Sequence, residues 1–171
     1  MRSGAGLTDV RIVRPMRHGW SELFALVLDV ERYPRFVPHC RDVRVLLRDA
    51  VTPTRSVVVS RMTVGWSALQ VGYANRTVAD YDRRSIKVDA IDGPFRYLRV
   101  AWDFEPQSRE RTTVSFAAEY EFSNPLLAGL ASRLFGAMFG EIVTAFERQA
   151  DSLARSARRA TEDYRRVATT T

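Results

Sequence analysis

The chain has 171 residues, 46% of them hydrophobic, and a formal net charge of +6, which suits one domain with a sizeable core. It has no run of about 18 apolar residues, which excludes a spanning helix, and Met1–Gly6 lacks an apolar stretch, so no secretory signal is expected. Cys40 is the single cysteine, which excludes an internal disulfide or a multi-thiolate metal site and fits a reducing cytoplasm.

Leu7 to Arg14 alternates and predicts a first strand ended by Pro15. His18 to Leu28 carries Trp20, Leu23, Phe24, Val27 and Leu28 at helical spacing. Asp29-Val30-Glu31-Arg32-Tyr33-Pro34-Arg35-Phe36-Val37-Pro38-His39-Cys40 follows. Its two prolines each fix φ, remove a donor and push the preceding residue away from αR, so the segment cannot be one regular helix. Tyr33, Phe36 and Val37 nevertheless need cover, and such a link serves either as a plug at the core edge or as one wall of a cavity.

Val43, Val45 and Leu47 alternate with arginines and predict a strand, with a turn over Asp49–Thr54. Ser56 to Trp66 is rich in β-branched residues, and Leu69, Val71 and Tyr73 resume extended structure after a tight connection through Ser67 and Ala68. Ile86, Val88 and Ala90 alternate with polar residues before Asp92-Gly93-Pro94 breaks the chain. The two cleanest period-two patterns come next, Leu98 to Glu105 and Val114 to Phe122, and imply an antiparallel sheet with one dry face.

The period then changes. Asn124-Pro125 supplies an N-cap and an N1 proline, and a helix is expected from there to about Ser156, with Leu127, Leu130, Leu134, Met138, Ile142, Ala145, Gln149 and Leu153 as its inner stripe. Gly129, Gly136 and Gly140 interrupt it, and mark either a close approach or bend, or tolerated positions. Strands grouped together with helices segregated mean α+β. A curved antiparallel sheet of six to seven strands gripping the long C-terminal helix, with two short helices after the first strand, covers the dry face. Residues 1–6 are expected to be a flexible N-terminus, 7–156 the domain and 157–171 a basic C-terminal tail.

Catalysis needs convergent polar groups. The polar residues on the inward positions are Ser60, Tyr73, Asn75, Thr77, Tyr120 and Gln149, without a carboxylate pair for acid–base work. Glu141 falls at the margin of the helix stripe. His18 and His39 are the only histidines. The adjacency of His39 and Cys40 makes a poor nucleophilic pair, since neighbours in extended chain point apart and no orienting third group is evident; with His18 they do not complete a zinc site. No catalytic or metal residues are assigned. The positive charge is nearly all arginine, with Lys87 the only lysine, a skew that a GC-rich genome also produces. Arg148, Arg155, Arg158, Arg159, Arg165 and Arg166 form a basic C-terminal stretch around Glu162-Asp163, either a solvated helix end or a contact for an anionic membrane surface or RNA.

Three blocks carry a resemblance: Asp29 to Cys40; Thr63-Val64-Gly65-Trp66; and Asp92-Gly93-Pro94-Phe95-Arg96-Tyr97-Leu98 followed by Trp102-Asp103-Phe104-Glu105-Pro106. The chain resembles the START-like, helix-grip superfamily that includes polyketide cyclases and lipid-transfer domains. Within it the chain is most similar to the coenzyme Q-binding protein family, whose bacterial members include the ribosome association toxin. The likeness runs from about Leu7 to Leu153; Arg35 and His39 depart from the acidic and aromatic residues common at those places. The resemblance implies a non-enzymatic protein with an apolar cavity between sheet and long helix. The respiratory branch holds a prenylated quinone and supports electron transport; the toxin branch blocks ribosomal subunit association; a polyketide cyclase or aromatase role is implied by the superfamily alone.

An apolar pocket with a few polar groups suits a lipophilic small molecule. The expected ligand-binding set is Tyr33 and Phe36 at the wall, Tyr73, Asn75 and Tyr120 as hydrogen-bonding groups for a carbonyl or methoxy head, and Val64, Trp66, Phe95, Trp102, Phe116, Leu130, Leu134 and Met138 around the apolar part. A core filled by these side chains is the alternative. No cofactor is required beyond a bound prenylquinone or other lipid. The expected partners are that molecule and either an anionic membrane surface or the ribosome and its RNA, not DNA, in a cytoplasmic protein, peripheral to the inner membrane where the respiratory branch applies.

Overall fold

The computed structural model describes the backbone of residues 7–66 and 69–168, and their side chains apart from those of 66, 69, 127, 130–136, 163, 164 and 166–168. The tight connection expected at Ser67 and Ala68 lies outside the described residues, and so do the surroundings of Gly136. The order is β1 (Thr8–Met16), α1 (Trp20–Leu28), a 3₁₀ turn (Val30–Arg35), β2 (Cys40–Thr52), β3 (Arg55–Trp66), β4 (Leu69–Asp80), β5 (Ser85–Ala90), β6 (Phe95–Ser108), β7 (Arg111–Phe122) and α2 (Pro125–Ala168). This is the expected α+β arrangement. The seven strands form one antiparallel sheet in the order β1-β7-β6-β5-β4-β3-β2.

Strands 1 and 2 therefore occupy opposite edges, and the chain between them must cross the open face of the sheet. That crossing is α1 and the 3₁₀ turn. Pro34 sits inside the turn, where the missing amide and fixed φ are compatible with a short i→i+3 structure but not a longer helix. Irregularities in register interrupt β2 at three places and β6 at two, and such bulges bend a sheet and increase its twist.

Period-two patterning is obeyed most cleanly in β7, where Thr112, Val114, Phe116, Ala118, Tyr120 and Phe122 are buried in alternation. From Val114 onward they meet Leu98, Trp102 and Phe104 of β6, Leu23, Phe24, Leu26 and Val27 of α1, and Phe139, Val143, Phe146 and Ala150 of α2 in one core. His18 Nε2 lies 2.7 Å from Asp151 Oδ1, and the Thr112 hydroxyl donates to the His18 carbonyl at 2.8 Å. His18 thus ties the entry of α1 to α2 and β7.

Four sequence expectations are corrected. Pro15 does not end β1, which runs on to Met16; an edge strand tolerates a residue without an amide donor. Asp49–Thr52 extends β2 instead of turning, leaving only Pro53 and Thr54 between β2 and β3. The C-terminal helix continues to Ala168, because Ala157–Ala168 contains no glycine or proline and is rich in alanine and arginine, which propagate helix. Its buried face is Met138, Phe139, Val143, Phe146 and Ala150, whereas Leu153 is exposed. From Val143 onward this stripe is turned by one residue from the expected Ala145, Gln149 and Leu153, since the large rings Phe139 and Phe146 dominate the burial.

A Cβ at Gly140 or Gly129 would meet nothing within 4 Å, so neither marks a close backbone approach. At Gly93 φ is +104° and a Cβ would stand 2.5 Å from the Tyr73 Cβ. Gly140→Ala is expected to raise stability by about 0.5–1 kcal/mol by helix propensity. Gly93→Ala is expected to lower it by at least about 1–2 kcal/mol through the strained φ and the clash. Urea denaturation of the two variants measures both signs.

Candidate ligand-binding cavity

The crossing segment and α2 do not fill the inner face of the sheet completely. Between them lies a cavity of about 120 Å³. Val27 walls it at the end of α1, Val30, Tyr33, Val37, Pro38 and Cys40 along the Tyr-Pro segment, and Met138, Phe139, Ile142 and Phe146 on α2. The sheet supplies Met62 and Val64, then Tyr73, Asn75 and Thr77, then Ile86 and Val88, and finally Phe95, Leu98, Val100, Trp102 and Phe116. A cavity on the order of 150 Å³ takes one benzene ring, so the space here is of single-ring scale.

Its modest size follows from aromatic packing. Phe146 receives three rings nearly edge-on: Phe36 at 5.1 Å, Tyr33 at 5.3 Å and Trp102 at 5.1 Å between centroids. Trp102 in turn meets Phe116 at 4.7 Å. The Tyr33 hydroxyl donates to the Val27 carbonyl, and the Phe36 and Val37 amides donate back to the Tyr33 carbonyl at 3.1 and 2.8 Å. The Tyr-Pro segment is therefore a structured wall, not a loose plug.

Polar groups gather on β3 and β4. Ser60 is the cross-strand partner of Asn75, and Thr77 follows on the same face. The Ser60 hydroxyl donates to Asn75 Oδ1 at 3.1 Å and the Thr77 hydroxyl reaches the same oxygen at 3.5 Å. Tyr73 points its hydroxyl at the Met62 sulfur at 3.5 Å. Below this strand end, Asp92 accepts from the Ala74 amide and from Arg61 at 2.6 Å. The backbone bond and the Arg61 guanidinium hold the Asp92 carboxyl below its ordinary range. This fixes the Asp92-Gly93-Pro94 corner against β4.

Burial, reinforced by the neighbouring Cys40, raises the pKa of Tyr33 and of Tyr73. Burial and the Asp42 charge push the Cys40 thiol up to about 11. His39 adopts φ 63° and brings Nε2 to 3.4 Å from Glu141 Oε2 on α2, whereas Cys40 is buried on the cavity wall. The two do not make a dyad. Among the described residues no group of three His, Cys, Asp or Glu is placed to hold a metal.

Of the residues expected from sequence, Tyr33, Val64, Tyr73, Asn75, Phe95, Trp102, Phe116 and Met138 line the cavity. Phe36 does not: it packs behind Tyr33 and lines a separate surface groove with Arg14, Glu141 and Arg148. Tyr120 does not line it either, because its ring is buried against Phe122 and Phe139 beside the wall. The side chains of Trp66, Leu130 and Leu134 lie outside the described residues. Phe139 and Phe146 line the cavity without having been expected there, and Thr77, expected at an inward position but not in the ligand-binding set, lines it too. Thr77 is given by strand parity with Tyr73 and Asn75, and the two phenylalanines by a helix stripe passing one residue to the side.

An antiparallel sheet closed by a long C-terminal helix over an apolar cavity defines a START-like helix-grip domain. The family model described as polyketide cyclase / dehydrase and lipid transport matches residues 17–147. Two curated relatives are similar over most of their length. Ribosome association toxin RatA of Escherichia coli (strain K12) is 30% identical over 73% of this chain and 75% of that protein. The mitochondrial coenzyme Q-binding protein coq10 of Schizosaccharomyces pombe is 33% identical over 82% of this chain and 85% of that protein. The solution structure of an 18 kDa protein from Caulobacter crescentus superposes with a TM-score of 0.70 at 31% identity, covering 86% of this chain and 98% of that one. The chain belongs to the polyketide cyclase / dehydrase and lipid transport family.

The thiol gives a direct check on how apolar the wall is. Alkylation of Cys40 by iodoacetamide is expected to be at least tenfold slower at pH 8 than that of a free cysteine, and to go on rising with pH beyond 9. The thiolate is the reactive form, and burial delays its appearance to about pH 11. Rate constants measured across that range read it out.

Proposed function

We propose that the protein is a non-enzymatic binder of a lipophilic small molecule, a prenylquinone, held by its ring in the cavity between sheet and α2 and serving respiratory electron transport. The observation that carries this reading is the cavity itself: single-ring in scale, walled by apolar and aromatic groups, with its polar atoms collected at one place on β4. Apolar pockets with a few placed polar groups are the usual form of small-molecule sites. The family's description includes lipid transport, and the Schizosaccharomyces pombe relative bears the name of a coenzyme Q-binding protein. The cavity takes the ring but not a long isoprenoid chain, so the chain extends outside the described wall. Among the described residues no helix is long and apolar enough to cross a membrane.

The reading of a binder instead of a catalyst is supported by the wall chemistry. Among the described residues no carboxylate and no histidine lines the cavity, and its thiol and phenols have raised pKa values. Among the described residues of the wall a polyketide cyclase role finds no acid–base pair.

Decylubiquinone, a quinone with a short chain, is expected to quench the fluorescence of Trp102 on titration with a saturable curve. Val88→Phe, which projects a ring into the cavity, is expected to weaken that binding at least tenfold with the fold retained. Saturable binding unaffected by Val88→Phe, or no binding, would count against the reading. Protein purified from its native host is expected to release a prenylquinone into organic solvent.

A second reading, association with the ribosome, is favoured by the name of the Escherichia coli relative and by one surface feature. Arg155, Arg158 and Arg159 are exposed on α2 at i, i+3 and i+4, a single helix face. On this reading overexpression shifts ribosomal particles toward free subunits in a sucrose gradient, and replacing the three arginines by glutamine restores the normal profile; an unchanged profile removes it.

A further inference from the structure

Asn75 is only 1% exposed and lines the cavity. Its two amide ends are in different situations. The Oδ1 end is held by the Ser60 hydroxyl at 3.1 Å and the Thr77 hydroxyl at 3.5 Å. The Nδ2 end is buried and has no hydrogen-bond partner among the described residues. A buried amide donor without an acceptor loses its hydration with nothing to offset it, and such groups are few in native proteins. Ser60 is itself fully buried and Thr77 nearly so, so the arrangement is built into two adjacent strands and not left to a mobile side chain.

We propose that Asn75 Nδ2 is the specificity-determining donor of the cavity, and that it receives an acceptor oxygen of the ligand, a ring carbonyl, while Ser60 and Thr77 act as positioning residues that keep the donor end turned toward it. The chemistry follows from the inventory. A primary amide carries an acceptor and two donors. With the acceptor occupied by two hydroxyls, only donors remain to be matched, and an uncharged ligand matches them with a carbonyl or ether oxygen. A site built this way rejects an analogue of the same shape that lacks the oxygen, because the amide is then left unpaired. The assignment rests on the reading of the cavity as a binding site; it goes beyond that reading by naming the group that selects the ligand and the feature selected.

The test uses a pair of single-ring probes of nearly the same shape, acetophenone and α-methylstyrene, in which C=O replaces C=CH2. In amide-resolved NMR of the full-length protein, the Asn75 Nδ2 protons are expected to shift downfield on adding acetophenone and not on adding α-methylstyrene. Asn75→Leu is expected to weaken acetophenone binding about tenfold while leaving α-methylstyrene within about twofold. Ser60→Ala is expected to give an intermediate loss. Equal shifts with the two probes, or an unchanged affinity ratio in Asn75→Leu, would overturn the assignment; the wild-type spectra decide it even where Asn75→Leu does not fold. Decylubiquinone separates this from the functional reading. Quinone binding that is equally tight in wild type and Asn75→Leu defeats the assignment and leaves the carrier standing. Acetophenone recognised through Asn75 with no uptake of decylubiquinone defeats the prenylquinone reading and leaves the assignment standing. Binding of none of the probes defeats both.

Discussion

The contact on which the architecture turns is the seat of Phe146. Strands 1 and 2 lie at opposite edges of the sheet, so the chain between them has to cross the open face, and something must hold the crossing down. Phe146 on α2 does so by receiving Tyr33 and Phe36 from the crossing and Trp102 from the sheet, all within 5.3 Å between ring centroids and all steeply inclined. Edge-to-face pairs of this kind add about 0.5–1.5 kcal/mol each beyond the area they bury. One ring therefore joins three layers. The same ring forms part of the cavity wall, so the site exists because rigid aromatic rings hold sheet, helix and crossing together without filling the space beside them.

Much of this was legible in the sequence. The alternation of Val114, Phe116, Ala118, Tyr120 and Phe122 fixed a strand and its inward face, because a strand reverses every side chain at each residue and leaves no ambiguity of phase. The cavity wall on β4 followed from the same parity through Tyr73 and Asn75. The helix was harder. Its true face, Phe139, Val143, Phe146 and Ala150, differs from the expected one by a rotation of one residue. Along a helix with apolar groups at 138, 139, 142, 143, 145 and 146, two neighbouring stripes are nearly equal in hydrophobicity, and only packing against Trp102 and Tyr33 chooses between them. Pro15 misled for a related reason: whether a missing amide matters depends on whether the strand is an edge, which is a property of the sheet and not of the segment. Phe36 is placed in the site by its segment and Tyr120 by inward strand parity and its hydroxyl, which mark burial and chemistry but do not say on which side of a wall a ring stands.

The scale of the cavity constrains any ligand more than its polarity does. At about 120 Å³ it lies below the common range of about 300–1,000 Å³ for small-molecule pockets. A ring is admitted and a long chain is not. A ligand with both parts must then be divided between the interior and another environment, as suits a molecule that belongs in a lipid phase and is held by its head. Such a division also limits what the cavity can read: shape selection acts on the ring, while the chain contributes affinity with little discrimination, since each buried methylene adds about 0.8 kcal/mol regardless of position.

Charge is arranged to leave this interior neutral. Among the described residues the cavity lining contains no arginine, lysine, aspartate or glutamate, in a chain whose net charge is +6. Its thiol and phenols are driven further from ionisation by burial, and each lies close enough to disfavour charge on the next. A carboxylate or ammonium entering this space would lose its hydration and meet no compensating partner, a cost far above what one ring of apolar contact returns. An uncharged ring with hydrogen-bond acceptors suffers no such loss. Neutrality thus selects the class of ligand before any single hydrogen bond does, and it separates the interior from the arginine-bearing outer surface of α2. An anionic partner is then met at exposed arginines such as Arg155, Arg158 and Arg159, which take no part in the cavity.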